Sequence, residues 1–258
     1  MPAVHTKEAF VKTHIFAVAL VSTFAGVSAT TAKEVTYEAL SAEVTALCEK
    51  GKFPEAVKKA GEALRAARAT FGSNDARFAT AQADLAHVYE LQGNLPLAAS
   101  NYAIGLRVLE KTVAPNHADL ADPIIHLAGL YRETGRLVDA EKLAQRGLEI
   151  REKAVGPDHA DTASALQNLG TVLFSEAKFD QAEPTLQRAL TIRSKIFGSN
   201  SAEAANTLIS LGALERERVH YPEAEARYRR ALAAREIALG PNEPDVANAL
   251  NSVALMLF

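Results

Sequence analysis

Carboxylate and imidazole side chains come together in one stretch of the chain, at Asp84, His87 and His126. Asp84 and His87 are three residues apart, so on a helix they share a face. If His126 lies at the same height on a neighbouring helix, the three form the one cluster of mixed acid and imidazole chemistry, the residues that an enzyme built on the groove would use. A metal site there lacks support, since no HExxH and no paired histidine spacing accompanies it. His117 and His159 resemble a repeated ligand, but they occupy matching turn segments and neither has a second histidine near it, so both are read as turn residues. Cys48 is the one cysteine, which rules out an intramolecular disulfide, and its neighbours predict a small buried side chain on a helix. The sequence holds no glycine-rich phosphate loop, nucleophile elbow or dinucleotide fingerprint. The expectation is a protein with no catalytic residues, no cofactor and no metal.

The elements that position these residues follow from composition and then from a repeat. Of the 258 residues, 48% are apolar and 23% charged, enough apolar material for a core. Aromatic residues make up 6%, tryptophan is absent and alanine is abundant, which favours close helix packing over a sheet. The net charge of -3 is spread along the chain, leaving no footprint for nucleic acid. Residues 1–32 differ from the rest. Lys7 and Lys12 precede a 13-residue apolar stretch, Ile15 to Val27, and small residues follow, so a secretory leader is expected, cut near Ala29 or Ala32. The stretch is short of the ~20 residues that span a bilayer, so removal and a periplasmic or secreted location are expected, with no other membrane element.

From about residue 36 to the end, one pattern repeats every 42 residues without a gap. Ala56, Ala98, Ala140, Ala182 and Ala224 form one column, and Leu64, Leu106, Leu148, Leu190 and Leu232 another. A third holds Leu85, Leu127, Leu169, Leu211 and Val253; a fourth holds Ala86, Ala128, Gly170, Gly212 and Ala254. A fifth, Phe71, Val113, Val155, Phe197 and Leu239, precedes each connector. Apolar residues at helical spacing predict two amphipathic helices per unit. Gly51, Gly93 and Gly135 close the first helix, and Pro54, Pro96 and Pro222 open the second. Segments such as FGSND (71–75) and VGPDHAD (155–161) connect the units, with Asn or Asp expected to cap the next helix.

These columns resemble the tetratricopeptide repeat: small residues at Ala86 and Ala98, large apolar ones at Leu85 and Tyr89, then Gly93 and Tyr102. The 42-residue period, the connector VGPDHAD and the helix text AEPTLQRALTIR (182–193) are similar to the kinesin light chain subclass. The resemblance implies an all-α fold, a right-handed α-solenoid of stacked antiparallel helix pairs. Units are expected at about 36–77, 78–119, 120–161, 162–203 and 204–245, with a partial unit at 246–258. It also implies a protein or peptide partner bound on a concave face lined by first helices. Directly before the Leu column lie Asp84, His126, Asn168, Ser210 and Ser252; Asp122, Ser164 and Asn206 stand one turn earlier, His87 and Thr171 one turn later. In the family, Asn at this place grips ligand backbone, which singles out Asn168. Solvation of an amphipathic helix would demand polar residues at the same places. The comparable columns carry Arg132 and Arg216 as cations near the groove edge, which disfavours a clamp for a chaperone's C-terminal carboxylate. Two outer-helix columns, Arg146, Arg188, Arg230 and Arg151, Arg193, Arg235, are read as ion-pair and solubility residues. The last unit supplies a first helix only, with Val246, Leu250, Val253 and Leu257 as its apolar stripe. That stripe either docks as a cap or awaits something further along, so the alternative function is the recruiting arm of a longer enzyme.

Overall fold

The computed structural model describes residues 30–240 and 243–254. The leader up to the expected cut at Ala29, and Leu257, lie outside the described residues. Helix α1 begins at Thr30, so Ala32 falls on its first turn. Among the described residues every regular element is helical. The chain divides into two compact units at Thr134 and Gly135.

Unit 1 holds α1 (Thr30–Glu49), α2 (Phe53–Phe71), α3 (Ala76–Gln92), α4 (Leu95–Thr112), a 3-10 turn (Ala118–Leu120) and α5 (Ala121–Glu133). Each helix packs on the next, and α1 also touches α3. Val44 and Cys48 of α1, Ala56 and Ala60 of α2, and Leu85, Val88 and Leu91 of α3 form one buried cluster. Burial pushes the Cys48 thiol up to about 11, so at neutral pH it is an inert packing group.

Unit 2 holds α6 (Leu137–Val155), α7 (Ala160–Ser175), α8 (Phe179–Phe197), α9 (Ala202–Glu217), α10 (Tyr221–Leu239) and α11 (Pro244–Ala254), again packed in sequence. Ala163 and Leu166 of α7 meet Ala189 and Ile192 of α8, with Leu148 of α6 packed against them, while Ala224 and Tyr228 of α10 meet Val253 of α11, with Ile209 of α9 beside them. The stripe on α11 is docked, with Val246 and Val253 buried, while Leu250 stays 49% exposed.

The repeat columns explain this packing. Ala56, Ala98, Ala140, Ala182 and Ala224 are all 0% exposed. In a second small column two glycines each lie against a large side chain. A Cβ on Gly170 would lie 2.6 Å from the Leu186 side chain, and one on Gly212 would lie 2.8 Å from the Tyr228 ring. The residues 42 positions before Gly170 and Leu186 are Ala128 and Ala144, and those 84 before are Ala86 and Tyr102; all four are buried. Small residues appear where a large one needs the space.

The turns follow the same register. At the end of α3 the N–H of Gly93 donates to Glu90 O, and that of Asn94 to Tyr89 O. This is the double bond pattern that a left-handed residue allows. The matching turns at Ala177 and Val219 make the same pair of bonds, so these residues are held at φ 58° and 66°. Left-handed backbone costs an L residue roughly 1–2 kcal/mol, and β-branched valine suits it least. The caps meet the expectation in part: Asp75, His117, His159 and Ser201 form the capping column, each accepting from an N–H two or three residues on, so that one helix is capped by Asp and the others by histidine or serine. His117 and His159 accept through Nδ1 at 3.4 and 3.2 Å, which is their role in the turns. One connector departs from the rest. Where other units have a left-handed glycine such as Gly156, this one has Ala114, and Pro123 lacks the N–H that would close the next helix's first turn. The chain there makes a 3-10 turn and α5 starts three residues late.

Two outcomes follow from this packing. Val219 is 64% exposed, so Val219→Gly gives up little packing and should raise stability by about 1 kcal/mol, read as a higher denaturant midpoint at unchanged slope. Gly212→Ala should cost about 1–3 kcal/mol by overpacking and Tyr228→Ala about 3–5 by emptying the site. The double variant, which copies Ala128 and Ala144, should cost at least ~1 kcal/mol less than the two singles together. Additive losses would show that the two columns do not set each other.

Candidate functional site

The site residues lie on the first helices of the pairs: α3 and α5 in unit 1, α7 and α9 in unit 2. Asp84, His87 and Glu90 follow one another at three-residue steps on α3 and so share its face. The centre of the unit 1 cluster is Glu90, which the sequence reading overlooked. His126 on α5 places Nδ1 3.4 Å from Glu90 Oε2, and His87 places its own 3.8 Å from the same oxygen. From α4, the Tyr102 hydroxyl donates to that oxygen at 3.4 Å, and its ring stacks on His126 at 5.2 Å and 8°. The two imidazoles stand 6.2 Å apart. Burial raises the Glu90 carboxyl, but the hydrogen bonds and charges of His126 and His87 outweigh it and hold the group at about 2.

Asp84 does not join this cluster as a shared ligand. It turns to α1, where Ser41 Oγ donates to Oδ2 at 3.3 Å. Burial there pushes its carboxyl up to about 6, partly offset by Ser41 and by His87. The expected trio is thus brought together only in part: His87 and His126 meet over a carboxylate, and that carboxylate is Glu90. A signal was available, since Glu90 stands three residues after His87 and in the column of Arg132 and Arg216. Among the described residues no three histidine, cysteine or acidic side chains converge closely enough to hold a metal ion. Asp122 sits in the first turn of α5, where a carboxylate also favours the helix dipole.

In unit 2 the ladder is largely engaged within the fold. The hydroxyls of Ser164 and Thr171 donate back to the carbonyls of Ala160 and Asn168 at 3.2 and 2.8 Å. Ser210 Oγ accepts from Gln167 Nε2 at 2.7 Å, and Asn206 Oδ1 accepts from Arg235 Nη2 at 2.8 Å. Asn168 is half-buried between Leu166 and Leu169, both buried, while Asn206 is exposed. Arg132 and Arg216 each pair with the next residue, Glu133 and Glu217.

The arginine columns need a correction. Arg188 does face outward, bonding Glu152 at 2.6 Å and the Pro157 carbonyl at 3.1 Å. Arg193 and Arg235, however, are only 9% and 7% exposed. Five residues turn a helix by about 140°, so the two columns cannot share a face. Arg193 Nη1 donates to Thr207 Oγ1 at 2.8 Å, Glu203 O at 3.2 Å and Gln167 Oε1 at 3.3 Å. It ties α8 to the first helices on either side of it.

Known proteins share both the repeat and the fold. The tetratricopeptide repeat family model matches residues 119–195 and 168–237. Among curated proteins none matches the sequence. Two crystal structures of a Podosopora anserina protein described as a putative kinesin light chain with nearly identical TPR-like repeats, one of them a single-residue variant, superpose with TM-scores of 0.67 (the variant) and 0.65. Each shares 16% identity and covers 82% of this chain and 98% of that one. The structure of BtubC (BKLC) from P. vanneervenii gives a TM-score of 0.60 at 21% identity, covering 89% of this chain and 84% of that one. Residues 119–237 are tetratricopeptide repeats by sequence, and the fold of the chain is that of kinesin light chain-like tetratricopeptide repeat proteins.

Proposed function

We propose that the protein is a non-catalytic scaffold that binds a protein or peptide partner on the face formed by its first helices, the concave side expected of stacked pairs. One observation carries this reading. Asp84, His126, Asn168 and Ser210 stay half-buried, although each is followed directly by a buried leucine, Leu85, Leu127, Leu169 or Leu211, none more than 8% exposed. Each first helix thus keeps one polar column at the edge of its core, close enough to apolar surface to be dried by a bound chain. Polar groups in that position satisfy backbone groups that binding removes from water. Asn168 in unit 2 and His126 in unit 1 are the contacts this reading puts first, because an amide and an imidazole can each both donate to and accept from a bound backbone.

We also assign the chain to the periplasm or the outside of the cell, on the leader read in residues 1–32. No helix among the described residues is long and apolar enough to cross a membrane.

Capture of a partner from the native compartment, identified by mass spectrometry, tests the scaffold reading. With that partner, Asn168→Ala and His126→Ala should each weaken binding about 3- to 10-fold, the worth of one hydrogen bond. Thr191→Ala, at an exposed site on α8, should leave it unchanged. The assignment fails if the α8 variant weakens capture and the two first-helix variants do not. For the location, N-terminal sequencing of protein recovered from the cell envelope or medium should begin at Thr30 or Lys33; an intact Met1 terminus on protein held in the cytoplasm would overturn it.

A further inference from the structure

In unit 2 two guanidinium groups reach from second helices to the side-chain amides of first helices. Arg235 of α10 donates from Nη2 to Asn206 Oδ1 on α9 at 2.8 Å, and Arg193 of α8 donates from Nη1 to Gln167 Oε1 on α7 at 3.3 Å. Both arginines are buried, Gln167 is half-buried and Asn206 is exposed. We infer that Arg193 and Arg235 are positioning residues: each holds an amide by its oxygen and turns the amide's N–H groups away from the second helices, which makes the first-helix face of unit 2 a donor surface for the carbonyl oxygens of an extended partner segment. The orientation stands on these hydrogen bonds alone; its use in binding rests on the scaffold reading.

The chemistry leaves each amide one choice. A guanidinium has donors and no acceptor, so only the oxygen end of an amide can face it, and the flipped amide would set N–H against N–H. Asn206 therefore keeps Oδ1 on Arg235, and its Nδ2 group, which makes no hydrogen bond among the described residues, is left to solvent. At Gln167 the same constraint sends Nε2 toward the next first helix, where it donates to Ser210 Oγ at 2.7 Å. The Ser210 hydroxyl in turn donates to the Asn206 carbonyl at 3.4 Å. One N–H of Gln167 is bonded in this way and the other is available.

Two further observations favour a role beyond packing. Gln167 stands where the neighbouring repeats have Ile125 and Ile209, so the core asks for an apolar side chain there and the amide needs another reason. The other acceptors of Arg193 Nη1, Thr207 Oγ1 and Glu203 O, are neutral like the amide. Its positive charge therefore polarises the amide it holds, which strengthens the N–H groups on the far side as donors. A bound chain that dries this face loses the water on its carbonyls, and donors already turned outward replace that water without reordering.

Side-chain 15N relaxation of the full chain reads the orientation with no partner present. The Asn206 amide should be ordered, with an order parameter of about 0.8, and should fall below about 0.6 in Arg235→Met, which releases its oxygen to water. Arg235→Lys, which still donates, should keep it ordered. Gln167 should respond in the same way to Arg193→Met; should that variant fail to fold, the Arg235 arm decides, because Asn206 is exposed. For binding the probe is oligoproline blocked at both ends, an extended chain of carbonyls with no backbone N–H. It should shift the Gln167 amide signal saturably. Its affinity should be about 3- to 10-fold weaker for Asn206→Asp, which keeps the oxygen and lacks the N–H groups. An Asn206 amide indifferent to Arg235→Met would overturn the positioning role. Oligoproline that binds Asn206→Asp as well as wild type, or binds neither, would overturn the donor surface. Failure of the scaffold reading has a separate signature, partner capture lost through Thr191→Ala, and would leave the order parameters as they are.

Discussion

Two helices can lie in close contact only where the residues at their crossing are small, and here that requirement recurs every 42 residues. Five alanines with no exposed surface, from Ala56 to Ala224, mark the crossings. At Gly105 the approach is tighter still, since a Cβ there would lie 2.9 Å from the Ala79 carbonyl. Once the crossings are fixed, rotation about each helix axis is fixed with them. Every other column then has a determined direction, whether toward the core, toward the next pair or toward solvent. The polar column of the first helices and the inward arginines are consequences of this packing.

The arginines show how far that determination reaches. A buried guanidinium is costly unless its donors are satisfied. Arg193 meets the cost with a side-chain hydroxyl, an amide oxygen and a backbone carbonyl, drawn from the first helices before and after it. Geometry of that kind is available only if successive pairs are stacked in one register. On the other side of the pairs the links are carboxylates: Lys178 bonds Glu141 at 2.8 Å, and Arg218 bonds both Asp180 and Glu183. These outer links are partly exposed and contribute little each. The inner ones restrict how neighbouring first helices sit, and so they shape the surface that a partner would meet.

The fold was legible in the sequence because its signal is periodic. Helix spacing, glycine closure and small columns all repeated, and each repetition tested the previous one. The turns at Ala177 and Val219 were less legible, since nothing about either residue asks for a left-handed backbone. They take it because the register imposes the same turn on them as on Gly93. The capping histidines were seen as turn residues without their role, since imidazole is an unusual cap, and only the Nδ1 geometry reveals it. At the candidate site, the columns placed the named residues on the first helices of the pairs. They could not show which residues were already engaged, because a hydrogen bond such as Gln167 to Ser210 joins neighbouring repeats and leaves no trace in spacing. Glu90 was missed for a related reason. Its column reads Glu, Arg, Phe, Arg in successive repeats, so searching for what the repeats share hides what one of them has alone.

That last point bears on where function resides in such a chain. Positions that every repeat shares serve packing, which is a debt each repeat owes its neighbours. Specific chemistry has to come from positions where the repeats differ. In unit 1 those positions hold Asp84, His87, Glu90 and His126, a titratable set. Unit 2 has Asn168, Thr171, Phe174, Ser210 and Arg216 in the same columns, a set with one cation and no carboxylate. Glu90 and Phe174 occupy one column, and the contrast is physical: the first meets His126, His87 and Tyr102 around one carboxylate oxygen, whereas the second packs on the Phe179 ring at 5.7 Å. One backbone pattern thus carries unlike chemistry in its two units, and the cluster of imidazoles about a carboxylate belongs to unit 1 because His87, Glu90, Tyr102 and His126 occur there together.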